Sequence, residues 1–195
     1  GISPETFEVE AKIDNSDSAW LVDQIPLPPA LGKSPYKSKV RMSDLDFFSD
    51  GDRALLPTWD GDIWLLSGLK EMKNLTWKRY ATGFFEPLGL KILNDVPYIA
   101  GRDGIYKTFD LNNDGEADFY ENYANDFGGY DRSHSHTFGL HRTSDGSFNF
   151  TQREAVQQVS NLVRIDGKRR YKIIAIHLRP QYISKSKKSA VPSSP

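Results

Sequence analysis

Six residues with side-chain oxygens crowd one stretch of the chain, Asp110, Asn112, Asn113, Asp114, Glu116 and Asp118, with Gly115 among them and Glu121 just beyond. Counted from Asp110 as position 1, the residues Asn112, Asp114, Asp118 and Glu121 fall at positions 3, 5, 9 and 12, and Gly115 at position 6. A hard cation such as calcium takes about six to eight oxygens, and a glycine at that place permits the sharp turn that lets them converge. The spacing predicts a calcium loop, with side-chain ligands from Asp110, Asn112, Asp114 and Asp118 and a carbonyl from Glu116. A solvated acidic turn is the plain alternative. Residues 104–109 and 117–123 are rich in β-branched and aromatic side chains, which favour strands over the two helices of an EF-hand. A strand leaving the loop would carry Glu121 away from the ion.

Histidine supplies the other candidate chemistry. His134 and His136 stand in Asp131-Arg132-Ser133-His134-Ser135-His136, just ahead of an expected strand. An imidazole there can act as a general base near neutral pH, or serve as a hydrogen-bonded loop residue. His-x-His is also a metal pattern, but zinc needs a third ligand that no neighbour supplies. Glu86, directly before Pro87, either meets a polar ligand or ends a strand. Trp59, Trp64 and Trp77 sit at strand positions and read as core, with sugar stacking as the other reading. There is no nucleophile elbow, no phosphate-cradling glycine loop and no dinucleotide fingerprint, so hydrolase and nicotinamide chemistry have no support.

The elements that must position these groups are short strands. Phe7, Val9, Ala11 and Ile13 alternate with polar residues and predict a half-buried strand, followed by a second over 20–25. Pro26, Pro28, Pro29, Gly32 and Pro35 then interrupt regular structure, so residues 1–42 read as N-terminal strands with a Pro-rich linker. From residue 43 strand-turn units recur, joined by Asp60-Gly61, Asn94-Asp95, Asp103-Gly104, Asp145-Gly146 and Asp166-Gly167. Matching points lie 43 to 50 residues apart, as in Asp60 to Asp103 and Leu90 to Leu140. Four short strands per repeat of that length predict an all-β, partial β-propeller of about three four-stranded antiparallel blades over 43–180. A β-sandwich is the rival architecture. Pro57 and Pro97 fall inside expected strands and predict bulged or edge pairing there. Residues 181–195 are polar and predict a disordered tail.

Propeller connectivity sorts the loops between two rims. It gathers Asp60, Glu86, Arg102, Asp103, Arg132, His134 and Arg153 on one rim and puts the calcium loop on the other, so the ion would be structural. Three blades do not close a ring. A fragment, completion by other copies, and an open arc are the alternatives.

Composition narrows the field further. The 195 residues are 38% apolar and 12% aromatic, enough for a packed core, and nothing approaches a membrane span. Without cysteine there is no disulfide, thiolate site or covalent haem attachment. Residues 151–195 hold ten Lys and Arg against Glu154 and Asp166, a net of +8 within a chain of net −1. That excess is scattered and lacks a stacking platform, so nucleic-acid binding is not expected. The chain begins at Gly1, which reads as a mature form or an excised piece. A calcium loop favours a periplasmic or extracellular setting, where the ion is plentiful.

The strings Leu45-Asp-Phe-Phe-Ser-Asp-Gly51, Thr58-Trp-Asp-Gly-Asp-Ile-Trp-Leu-Leu-Ser-Gly68, Phe85-Glu-Pro-Leu-Gly-Leu-Lys91 and Asp110 to Asn122 resemble a family of membrane-bound dehydrogenase propellers. That family is similar to the soluble quinoprotein (PQQ) glucose and sorbosone dehydrogenases, and the resemblance covers about residues 18–180. It implies a six-bladed secreted or periplasmic propeller that oxidises a sugar or related alcohol, with PQQ taking the hydride and a cytochrome as electron acceptor. It implies His134 as the base, with His136 next in line, and Arg102 and Arg132 facing the anionic cofactor. About half the blades of that family are absent here, as is a haem motif, so this chain alone is expected to be inactive. A propeller without catalysis that binds a glycan or a protein partner is the alternative.

Overall fold

The structure, a computed structural model, describes residues 6–27, 40–127, 136–154 and 159–178. No helix occurs among them, and so none that is long and apolar enough to cross a membrane. The chain forms three antiparallel sheets. In the first, β2 (Asp46–Phe47), β3 (Arg53–Pro57), β4 (Ile63–Ser67) and β5 (Leu75–Ala81) follow one another, and β1 (Thr6–Val9) adds a fifth strand beside β5. The second runs β6 (Gly89–Leu93), β7 (Val96–Ala100), β8 (Ile105–Phe109), β9 (Phe119–Ala124). The third runs β10 (His136–Arg142), β11 (Phe148–Glu154), β12 (Val159–Ile165), β13 (Tyr171–Leu178). The all-β expectation and its four-stranded units hold. The arrangement is consistent with a partial propeller, and the described sheets do not close a ring.

Two differences follow from local chemistry. Residues 20–25 do not form a strand: only the Lys12–Gln24 bridge is present, and Asp14 takes up the N–H groups of Ser16 and Val22 in a turn-rich hairpin. Trp20 there is 84% exposed. Pro97 lies in β7, an inner strand of sheet 2, without a bulge against β6. The β7–β8 ladder starts only at Tyr98, so the missing N–H of Pro97 stands beyond its end. Pro57 occupies the last position of β3.

Period-2 alternation sorts the core. Ile63 and Leu65 of β4 pack with Phe48, Leu55, Leu90, Ile92 and Ile99 between sheets 1 and 2. Trp64 and Leu66, on the other face of β4, pack with Leu75 and Trp77 under Phe7, Val9, Ala11 and Ile25 of the N-terminal segment. Ala100, Leu140, Phe148, Phe150, Val163 and Ile165 fill the space between sheets 2 and 3. Trp64 and Trp77 are core residues, as expected.

The first strands of the sheets are stitched edge to edge. β6 borders no strand on one side, and its amides need acceptors. Asp44 Oδ2 accepts from Leu90 N–H and Asp46 Oδ2 from Ile92 N–H, both at 2.7 Å. Toward sheet 3, Gly139 N–H donates to Leu88 O at 3.0 Å, and Gly89 lets the strands approach: a Cβ there would lie 2.7 Å from Gly139 O. Strand alternation then puts turns 58–62 and 101–104, the 82–88 crossing and the start of β10 at one end of the molecule. Turns 94–95, 110–118, 143–147 and 166–170 lie at the other.

Candidate functional site

Glu86 sits in the crossing from β5 to β6 with φ 46°, a left-handed conformation unusual for glutamate and more so before a proline. Arg102, in the β7–β8 turn, donates its backbone N–H to Phe85 O at 2.8 Å. Its guanidinium lies over the Phe85 ring, 5.0 Å from the centroid, and its Nη1 reaches Glu86 Oε2 at 3.2 Å. His136 opens β10 and places Nδ1 3.1 Å from the same oxygen. Sheets 2 and 3 thus share one carboxylate between a buried guanidinium and an imidazole whose side chain is 12% exposed.

Trp59 completes the site from sheet 1. Its ring meets His136 edge-on at 5.0 Å, and the Phe138 ring lies 5.6 Å from His136 on β10 itself. Arg41 stacks over Trp59 at 4.8 Å and reaches Asp60 Oδ1 at 3.4 Å. The aromatic and charged groups therefore run in one line across three sheets, Arg41, Trp59, His136, Glu86, Arg102. No family model matches this chain, and no curated protein matches it. What the site can do is read from its own geometry.

With Glu86 ionised, Nδ1 of His136 carries the proton and donates it, which leaves the Nε2 lone pair as an acceptor. A base oriented by a carboxylate is the arrangement that takes a proton from a hydroxyl group. Trp59 and Phe138 add flat apolar faces beside it. The Arg102 guanidinium also faces the Glu86 carboxylate.

Of the expected rim residues, Glu86 and Arg102 come together and His136 joins them. Asp60 belongs to the Arg41 pair. Asp103 is turned along its own hairpin, where the Tyr106 hydroxyl donates to it at 2.9 Å. Burial, helped by that carboxylate, pushes the Tyr106 phenol up to about 12. Arg153 is the β11 register partner of His136. His134 and Arg132, the first choices for base and cofactor arginine, lie outside the described residues, as do 181–195. The reading of Trp59 as core missed its place beside His136. The signal was present: Pro57 ends β3, so the ring two residues later belongs to a turn.

The acidic loop joins β8 to β9 at the other end, flanked by strands as its sequence predicts. Asp110 accepts from the N–H groups of Asp114 at 3.2 Å and Gly115 at 2.8 Å. Asn112 Oδ1 accepts from Asp114 N–H, and Asp114 Oδ1 from Glu116 N–H, both at 2.9 Å. That backbone N–H holds the Asp114 carboxyl below its usual range. Asp118 Oδ2 accepts from Leu111 N–H at 2.8 Å. The inner oxygens converge: Asn112 Nδ2 stands 3.3 Å from Asp114 Oδ2 and 3.4 Å from Asp118 Oδ1. Turned about its last torsion, the amide would give up the Asp114 N–H and add its own oxygen to those two, an exchange that a bound cation would have to stabilise.

Among the described residues no three His, Cys, Asp or Glu side chains converge as a ready-made cation group. An ion here would draw on the Asn112 amide and the Glu116 carbonyl. Lys78 of sheet 1 donates to Asp114 O and lies 3.6 Å from Glu116 Oε1, so an ammonium already offsets part of the loop's charge. Ala117 N–H donates to Tyr80 O at 2.7 Å, which ties the loop back onto β5. Glu121 is carried off by β9 and pairs with Lys107 and Arg169.

Proposed function

We propose that this chain is part of a β-propeller of the quinoprotein sugar-dehydrogenase-like kind, working in a periplasmic or extracellular setting, and that its rim site takes a sugar or related alcohol. The observation that carries this reading is the Glu86–His136 pair lying against Trp59. Trp59 and Phe138 offer the flat faces on which a sugar ring lies, and a neutral polyhydroxylated ligand suits a site whose arginine is already paired. His136, held by Glu86 through Nδ1, accepts the substrate hydroxyl proton on Nε2 as the adjacent C–H bond breaks. PQQ, were it bound here, would supply the hydride acceptor, with a cytochrome as the expected electron-accepting partner. Arg102, committed to Glu86, positions that carboxylate, and the holding of the cofactor falls to Arg132. The loop of Asp110, Asn112, Asp114, Glu116 and Asp118 holds calcium in a structural role, because it lies at the opposite end and leans on sheet 1.

The pairing of Arg102 also favours a second reading, a rim that binds a glycan without oxidising it. One experiment separates the two. This chain and the full-length gene product are each titrated with PQQ and a redox dye over a panel of aldoses, and sugar binding is measured in parallel by calorimetry. Dye reduction that His136→Ala abolishes supports oxidation. Sugar binding without dye reduction leaves the second reading, and neither signal overturns both.

A further inference from the structure

Two open cavities, each of about 200 Å3, lie between successive sheets at the end of the molecule that carries the acidic loop. They occupy equivalent places but differ in charge. The first, between sheets 1 and 2, is lined by Asp95 and Asp110, and its one cation, Arg53, is paired with Asp50 at 2.6 Å. The second, between sheets 2 and 3, has Lys107 and Arg142 in its wall and, among the described residues, no carboxylate.

Its remaining wall is largely aromatic. The rings of Tyr98, Tyr123 and Phe148 close on one another, with centroids 4.9 to 5.8 Å apart. The Lys107 ammonium lies over both tyrosines, 5.6 and 5.3 Å from their centroids. Glu121, outside the lining, is shared between Lys107 and Arg169, so one carboxylate faces two cations. The Arg142 guanidinium makes no hydrogen bond or ion pair among the described residues. A cleft with surplus positive charge and three rings selects for an anionic group and a flat apolar body together.

We propose that the cleft between sheets 2 and 3 binds a small anion carried on a flat ring, an aryl carboxylate or aryl phosphate, with Arg142 holding the anionic group and the half-buried Tyr98 and Tyr123 beside the ring, backed by the buried Phe148. The volume sets the size: it is below the roughly 300–1,000 Å3 of pockets that take drug-sized ligands, so a single ring fits. The site is independent of the rim chemistry at the opposite end.

The test is a titration of the full chain followed by NMR of the tyrosine ring signals, with benzoate, phenyl phosphate, inorganic phosphate and cyclohexanecarboxylate as separate probes. Benzoate or phenyl phosphate is expected to shift Tyr98 and Tyr123 saturably with a Kd of about 0.1–1 mM, as suits ten or so heavy atoms. Which of the two binds more tightly distinguishes the carboxylate from the phosphate class. Arg142→Gln, at an exposed position that should leave folding intact, is expected to weaken binding about tenfold. Binding of inorganic phosphate as tight as that of phenyl phosphate would remove the ring from the proposal. No saturable shift from either aryl anion, or equal binding by Arg142→Gln, overturns it.

Discussion

Glu86 and His136, fifty residues apart, meet at 3.1 Å between Oε2 and Nδ1, and Arg102 Nη1 reaches the same oxygen at 3.2 Å. One carboxylate thus orients the imidazole, and an ionised carboxylate there favours the tautomer with its proton on Nδ1. In 15N NMR, neutral His136 should carry its proton on Nδ1, and Glu86→Ala should abolish that preference.

The backbone of Glu86 sharpens the point. A non-glycine residue in a left-handed conformation costs on the order of 1–3 kcal/mol, and Glu86 has φ 46°. Glu86→Gly removes the strain but breaks a largely buried ion pair from one side, which costs roughly 3–5 kcal/mol. The second effect is larger, so urea unfolding should show a net loss of about 2 kcal/mol. The double variant Glu86→Gly/Arg102→Leu should recover most of it.

Calcium should raise the melting temperature. A ligand at a hundredfold excess over its Kd adds about 2.7 kcal/mol, or roughly 5–10 °C for a domain of this size. Chelator should reverse the shift, and Asp110→Ala should abolish it. Lys78→Met removes the ammonium from beside Glu116 and Asp114, so the melting point should depend more steeply on calcium. An unchanged midpoint with and without chelator would sink the calcium reading.

Gly89→Ala tests the contact between sheets 2 and 3. The new Cβ would lie 2.7 Å from Gly139 O and 2.8 Å from Gly139 C, both backbone atoms that cannot yield cheaply. Overpacking of this kind costs about 1–3 kcal/mol, read as a melting drop of roughly 2–4 °C per kcal/mol. Gly83→Ala, which meets no neighbour but has φ 90°, should lose only the backbone cost of about 1–3 kcal/mol, without a steric one.

Asp95 couples sheets 1 and 2 through Ser49, whose hydroxyl and backbone N–H both donate to it at 2.7 Å. Those two donors hold the Asp95 carboxyl below its ordinary 3.8. The stability it contributes is complete above that value and is lost as pH falls through the lower folded value. Asp95→Asn, which tolerates the φ of 61° at this turn, should flatten the acid limb of stability below about pH 4. An unchanged acid limb would show that the Ser49 contact does not bear on folding.

Alternation made the strands legible. Ile63, Trp64, Leu65 and Leu66 read as a strand because each face of β4 has its own apolar cluster to enter. The two-residue Asn94-Asp95 hairpin was legible too, since both residues tolerate the positive φ it requires. The stretch 20–25 misled because Trp20, Leu21 and Val22 have strand-forming side chains yet are exposed, and the aspartate turn around Asp14 decides the backbone instead. The rim site was legible only as a roll of charges. That Glu86 would meet His136 depends on where β10 packs against β6, a relation set by Gly89 and Gly139 and by no local pattern.

The N-terminal segment has a consequence for how the row of sheets can be extended. By lying over Trp64, Leu66, Leu75 and Trp77, it leaves the outward face of sheet 1 already sealed, with those four side chains at most 3% exposed. Any further sheet that joins the row by packing face to face must therefore do so beyond sheet 3, unless the segment first peels away. Growth of such a row has a direction, and Phe7 and Val9 set it.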